Sequence, residues 1–146
     1  MGIKAAVWVH GTIAQSEGYV TSIRNGWGAT FTDRDNTFRW FHIPIATPVI
    51  LDDIRPRLAK VFVFFQTNDQ ARIASIHIYD GAKRVKPIDN LTLSGKHNEI
   101  IDASNTFIIN PSIEIAFGLG ISVGVAFPSI WDGFILFSAV GADFQT

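Results

Sequence analysis

The chain has 146 residues, 12 Lys+Arg against 13 Asp+Glu for a net charge of −1, and is 47% apolar but only 17% charged. One domain is the natural reading at this length, and such a chain buries about 68–70% of its unfolded surface, enough for a core without covalent staples. The near-zero charge leaves no electrostatic footprint for nucleic acid or an anionic membrane, and the absence of cysteine removes disulfides, thiolate metal sites, iron–sulfur clusters and thiol nucleophiles.

The segment Met1–His10 carries too short an apolar run for a signal peptide, and no window of the chain reads as a membrane-spanning helix. The default expectation is a cytoplasmic protein, with leaderless export left open. A period of two then begins. Val7, Val9 and Ile13 share one face of a first strand, opposite Trp8, His10 and Thr12. Short strands are predicted over residues 19–23 and 29–32. In residues 38–45, Phe41, Ile43 and Ile45 oppose Phe38, Trp40 and His42. Residues 49–60 are the best candidate for a helical turn, interrupted by Pro56. Val61–Phe65 is continuously apolar, as in a strand covered on both faces. In residues 72–79, Ala74, Ile76 and Ile78 oppose Ser75, His77 and Tyr79. Further strands are expected over 83–85, 91–93, 106–109 and 133–140, with Gly, Asn, Asp and Pro marking the turns.

The strongest alternation lies in residues 113–127. Ile113, Ile115, Phe117, Leu119, Ile121, Val123, Val125 and Phe127 hold the odd positions, while Gly118, Gly120, Ser122 and Gly124 fall on the sparse face. A straight strand of this length is unusual, so a bend is expected near Gly118–Gly120. Many short strands joined by turns predict an all-β antiparallel β-sandwich, jelly-roll-like, of about 8–10 strands in a single domain over residues 1–146. The expected core includes Val7, Val9, Phe41, Ile43, Val61, Val63, Ile76, Ile78, Phe117, Leu119, Ile121, Val123 and Val125.

Several phrases carry a family likeness: Trp8-Val-His10-Gly11, Trp40-Phe-His42-Ile-Pro44-Ile, Thr47-Pro48-Val49-Ile50-Leu51-Asp52, His77-Ile-Tyr79-Asp80-Gly81, Leu91-Thr-Leu93-Ser94-Gly95 and Gly118-Leu-Gly120-Ile-Ser122-Val-Gly124-Val125. Through them the chain resembles an uncharacterised family of small single-domain bacterial proteins of unknown function. The resemblance spans nearly the whole chain and implies a stand-alone domain. It implies no activity, cofactor or catalytic residue.

The four histidines, His10, His42, His77 and His97, form no His-x-His or His-Glu-x-x-His motif, so no metal is expected. Gly118, Gly120 and Gly124 sit within a strand alternation and precede no helix, which excludes a phosphate loop; no cofactor is expected. Asp33-Arg-Asp35-Asn36 reads as a solvated turn, and no serine lies in a strand–turn–helix elbow. The suggestive pattern is an aromatic residue paired with histidine at i, i+2: Trp8 with His10, Trp40 with His42, and His77 with Tyr79. On neighbouring strands these would form a patch of flat rings with polar tips, suited to a sugar or to a subunit contact.

Charge is also uneven. Residues 1–96 hold all 12 bases beside 8 acids (+4), and residues 97–146 hold 5 acids and no base (−5). A soluble domain usually devotes about 25% of its residues to charge, so the low charge here points to covered surface. The leading expectation is a non-catalytic structural or interaction module that forms a homo-oligomer, with the bare face at Gly118, Gly120 and Gly124 as its contact. The alternative is a carbohydrate or small-ligand binding module using Trp8, His10, Trp40, His42, His77 and Tyr79. A third reading is a hydrolase or lyase with a cleft assembled from distant strands.

Overall fold

The computed structural model describes residues 2–146. Among these residues the chain forms twelve strands: β1 Ile3–His10, β2 Gln15–Ser16, β3 Thr21–Asn25, β4 Gly28–Asp33, β5 Thr37–Ile45, β6 Arg57–Thr67, β7 Arg72–Asp80, β8 Lys83–Ile88, β9 Lys96–His97, β10 Thr106–Glu114, β11 Leu119–Phe127 and β12 Gly133–Gln145. They make an all-β, antiparallel, jelly-roll-like sandwich. Sheet A runs β10-β6-β12-β4-β3, with β1 paired to β12 and β9 to β6; sheet B runs β2-β5-β11-β7-β8.

Alternation decides which side chains meet between the sheets. Phe31, Val61, Val63, Phe65, Phe137 and Phe144 point inward from sheet A and are essentially buried. Phe41, Ile43, Ile76, Ile78, Leu119, Ile121, Val123, Val125 and Phe127 do the same from sheet B. Phe31 and Phe41 meet across the sandwich with ring centroids 4.6 Å apart, and Phe137 closes the cluster 5.6 Å from Phe41. Each such fully buried aromatic contributes roughly 1.5–3 kcal/mol relative to exposure.

The period-two reading of residues 113–127 holds, with one division inside it. β10 belongs to sheet A and β11 to sheet B, so the chain changes sheets across residues 115–118. Asp80 fastens this corner: its carboxylate accepts the backbone N–H groups of Ala116, Phe117 and Gly118 at 2.8, 3.0 and 3.1 Å. The corner corrects one core assignment, because Phe117 sits at the bend and is 81% exposed. Val7 and Val9 face the core but are only half-buried, because β1 is an edge strand paired only with the C-terminal half of β12.

Other boundaries also move. Residues 49–60 hold no helix; Leu51 and Ile54 pair across a tight turn at Asp52-Asp53, both of which have positive φ. Thr12 and Ile13 leave the first strand to form a 3₁₀ turn, Gly11–Ile13, capped by the His10 side chain. Leu93 makes an isolated bridge to Ile73, with no strand of its own. Asn110 and Pro111 lie inside β10, where the register with β6 shifts. Pro111 falls in the stretch between Ile108 and Ile113 that has no registered partner on β6, at the edge of sheet A, where a missing N–H is tolerated.

Candidate functional site

The outer face of sheet B is built on contrast in side-chain height. β11 is its central strand and turns Gly120, Ser122 and Gly124 outward. In register, Gly120 lies between Pro44 and Tyr79, Ser122 between His42 and His77, and Gly124 between Trp40 and Ser75. A floor of small residues between two walls of large ones makes a groove. It encloses about 520 Å³ along Gln15, Glu17, His42, Tyr79, Gly120 and Ser122, and continues into a hollow of about 290 Å³ bounded by Trp40, His77 and Arg84.

Hydrogen bonds fix both walls. Ser122 Oγ lies 2.8 Å from His42 Nδ1, and His42 Nε2 lies 3.1 Å from Glu17 Oε1. Glu17 reaches this position because its backbone N–H donates to the Trp40 carbonyl at 2.8 Å. On the opposite wall, His77 Nε2 donates to Asp89 Oδ1 at 2.8 Å, and Ser75 Oγ donates to the same oxygen at 2.8 Å. The His77 and Ser75 hydrogen bonds hold the Asp89 carboxyl below its usual value. The Trp40 ring rests 4.7 Å from the His77 ring at 43° and 5.5 Å from Phe38. Both imidazoles are therefore held in place, with an aromatic face beside them.

Four of the six residues expected to form an aromatic/histidine patch come together here: Trp40, His42, His77 and Tyr79. Trp8 and His10 do not join them, because β1 hydrogen-bonds to β12 in the other sheet. Trp8 stacks on Phe62 with centroids 5.0 Å apart and covers Gly141, where a Cβ would strike the indole. His10 Nδ1 accepts the Thr12 N–H at 3.2 Å and so terminates β1.

The three glycines play separate parts. Gly118 donates to Asp80 at the corner. A Cβ on Gly120 would meet nothing nearer than the Tyr79 Cβ at 3.9 Å, so this glycine keeps the groove open. A Cβ on Gly124 would lie 2.6 Å from Phe38 Cζ and 3.1 Å from Trp40 Cη2. Gly124 is thus bare because two rings of its own chain lie over it.

Glu17, Ser75, Asp89 and Ser122 belong to the site and were absent from the sequence-based set. Glu17 and Asp89 lie outside the strand alternation, and only the fold brings them to the walls. Ser122 did carry a signal: Gly120-Ile121-Ser122-Val123-Gly124 is a Gly-x-Ser-x-Gly spelling, and Ser122 is the one hydroxyl on the sparse face. It lies on a strand rather than an elbow, so its glycines clear space instead of shaping a turn.

The fourth histidine lies elsewhere. His97 Nδ1 lies 2.8 Å from Asp102 Oδ2, and its Nε2 lies 2.8 Å from the Ser94 carbonyl. Buried Asn105 donates to the carbonyls of His97 and Ile100, so this cluster ties down the connection before β10. At the β4–β5 turn, Asp33 receives Arg39 Nε at 2.6 Å and the Thr37 hydroxyl at 2.9 Å. Burial works against its ionised form, and these hydrogen bonds outweigh it, keeping the carboxyl below its usual value. Among the described residues, no three His, Asp or Glu side chains gather as a metal ion would require. No helix among them is long and apolar enough to cross a membrane.

Among solved structures, the chain is similar to a carbohydrate-binding module, CBM36, in complex with calcium and xylotriose. Identity is 15%, the TM-score is 0.43, and coverage is 94% of this chain and 98% of that one. It is also similar to an exo-β-1,3-galactanase from Phanerochaete chrysosporium with galactose, at 10% identity and TM-score 0.46. That match covers 97% of this chain, which spans 30% of the galactanase chain. No curated protein matches the sequence. The model of a family of unknown function, DUF6623, matches residues 3–146, and the chain belongs to that family.

Proposed function

We propose that this protein is a binding module that takes a saccharide in the groove of sheet B. A sugar ring offers an apolar C–H face and a rim of hydroxyls. The groove offers matching surfaces: the rings of Trp40 and Tyr79, and beside them oriented donors and acceptors at His42, Ser122, His77 and Glu17. The observation that carries this reading is the placement of four of the predicted aromatic and histidine side chains around a floor kept low by Gly120 and Ser122. A groove of about 520 Å³ falls within the roughly 300–1,000 Å³ range of small-molecule sites.

The test is a tryptophan-fluorescence titration against a panel of neutral oligosaccharides. The native protein and Trp8→Ala are expected to respond saturably, and Trp40→Ala to lose the response. Silence of the native protein toward every sugar would sink the proposal.

A second reading is self-association through sheet A. Its outer face exposes Ile108 by 69% and Ile23 by 60%, with Trp8 between the buried Phe62 and solvent. A second copy of this chain suits such a surface because it brings the same exposed apolar side chains.

A further inference from the structure

The groove holds an arrangement that binding alone does not require. Ser122 Oγ, His42 and Glu17 stand in series, at 2.8 Å and then 3.1 Å. A carboxylate can only accept, so His42 Nε2 carries the proton donated to Glu17. Its Nδ1 then presents a lone pair to the Ser122 hydroxyl. Nucleophile, base and a group that orients the base are the parts of an activated serine. We propose that Ser122 is an acyl-accepting nucleophile, with His42 as its general base and Glu17 as the positioning residue, acting on small carboxylic esters.

The surroundings suit that role. Ser122 is only 7% exposed, yet its hydroxyl side opens onto both hollows of the groove. Gly120, two residues before it on the same face, leaves room for an acyl group beside the hydroxyl. The N–H groups of β11 are committed to ladders with β5 and β7, so charge on the carbonyl oxygen must be met by side chains. Tyr79 and Arg84 border the same hollow as Ser122 and supply the donors on that side.

The reaction balances without a co-reactant other than water. Ser122 Oγ bonds to the carbonyl carbon as its proton passes to His42 Nδ1. The ester C–O bond then breaks, and that proton leaves with the alcohol. Water attacks the acyl-serine with His42 again as base, releasing the carboxylic acid and restoring the hydroxyl. The imidazolium formed on the way is stabilised by the Glu17 carboxylate. Acylation and deacylation share the same oxyanion, so acyl-serine accumulates where the leaving group is activated, as in a p-nitrophenyl ester, and acylation outruns hydrolysis.

This proposal stands on the groove geometry and does not require that a sugar binds. The experiment is rapid mixing of the intact protein with p-nitrophenyl acetate, followed by peptide mass mapping. A burst of p-nitrophenolate with acetyl on Ser122 is expected. Ser122→Ala should abolish the burst, Ser122→Cys should retain acylation, and His42→Gln should slow it about a hundredfold. Glu17→Ala should slow it less than His42→Gln does, with partial rescue by Glu17→Asp and unchanged tryptophan emission. No burst, or acetyl on any residue other than Ser122, would overturn the assignment. The adduct position in the native protein decides even if Ser122→Ala fails to fold. A sugar response without acylation would overturn only this proposal, and acylation without a sugar response only the binding reading.

Discussion

At the scale of single residues, the groove depends on what two positions on β11 lack. Gly120 and Gly124 share a face and differ in what lies above them: open space over the first, the rings of Phe38 and Trp40 over the second. Gly120→Val should therefore leave thermal stability unchanged or slightly raised, since valine favours strands. The same change fills the groove and should remove saccharide binding. Gly124→Val should instead displace Phe38 and Trp40 from their places over the strand, costing about 1–2 kcal/mol and altering tryptophan emission. Paired melting curves and titrations separate the two. The sequence made both glycines visible as a bare face, because alternation reads directly from composition at every second position. It could not say that one was roofed by rings of the same chain. That depends on the register between β5 and β11, which places Trp40 opposite Gly124.

At the scale of elements, the corner between β10 and β11 teaches the limit of periodicity. Odd residues face the core on both sides of it, so the alternation runs on unbroken while the chain leaves one sheet and enters the other. Phe117 kept the parity of a core residue and lost the core. What holds the corner is Asp80, 36 residues upstream of Ala116, and nothing local in residues 115–118 announces it. Burial raises the Asp80 carboxyl, while the N–H bonds from Ala116, Gly118 and Phe117, with Lys83 nearby, outweigh it and leave the carboxyl below its usual 3.8. The stabilisation is thus complete above that value and is lost as pH falls through the lowered one. Hydrogen-exchange protection at Ala116–Gly118, taken relative to the intrinsic exchange rate at each pH, should persist at neutral pH and fall only in stronger acid. Asp80→Ala should expose these amides at all pH values and cost about 2 kcal/mol, the size of a hydrogen-bond set to a charged acceptor. Unchanged exchange in that variant would show that the corner holds itself.

At the scale of the whole molecule, the two sheets have outer faces of different character. Sheet B carries the polar groove, while sheet A presents Ile23, Ile108 and Trp8. The low charge fraction points to covered surface without saying on which face it lies. The strand order assigns β1 to sheet A and so divides the aromatic/histidine pairs between opposite sides of the sandwich. Strand order depends on pairings between residues more than a hundred positions apart, such as Ile3 with Gln145, which no window along the chain contains. Sedimentation at micromolar concentration should reveal a dimer that Ile108→Lys converts to monomer, with the groove unaffected. A clean monomer of the native protein would remove self-association through this face.

The position of β12 in sheet A bears on how the chain reaches its native state. It is the last strand in chain order, yet it lies between β6 on one side and β4 and β1 on the other. During synthesis, those three partners emerge from the ribosome with open edges and no seam to close them. Closure of sheet A therefore waits for β12, which follows all three partners in chain order. Until then, the exposed ladders of β4 and β6 are the segments most in need of a chaperone's shelter.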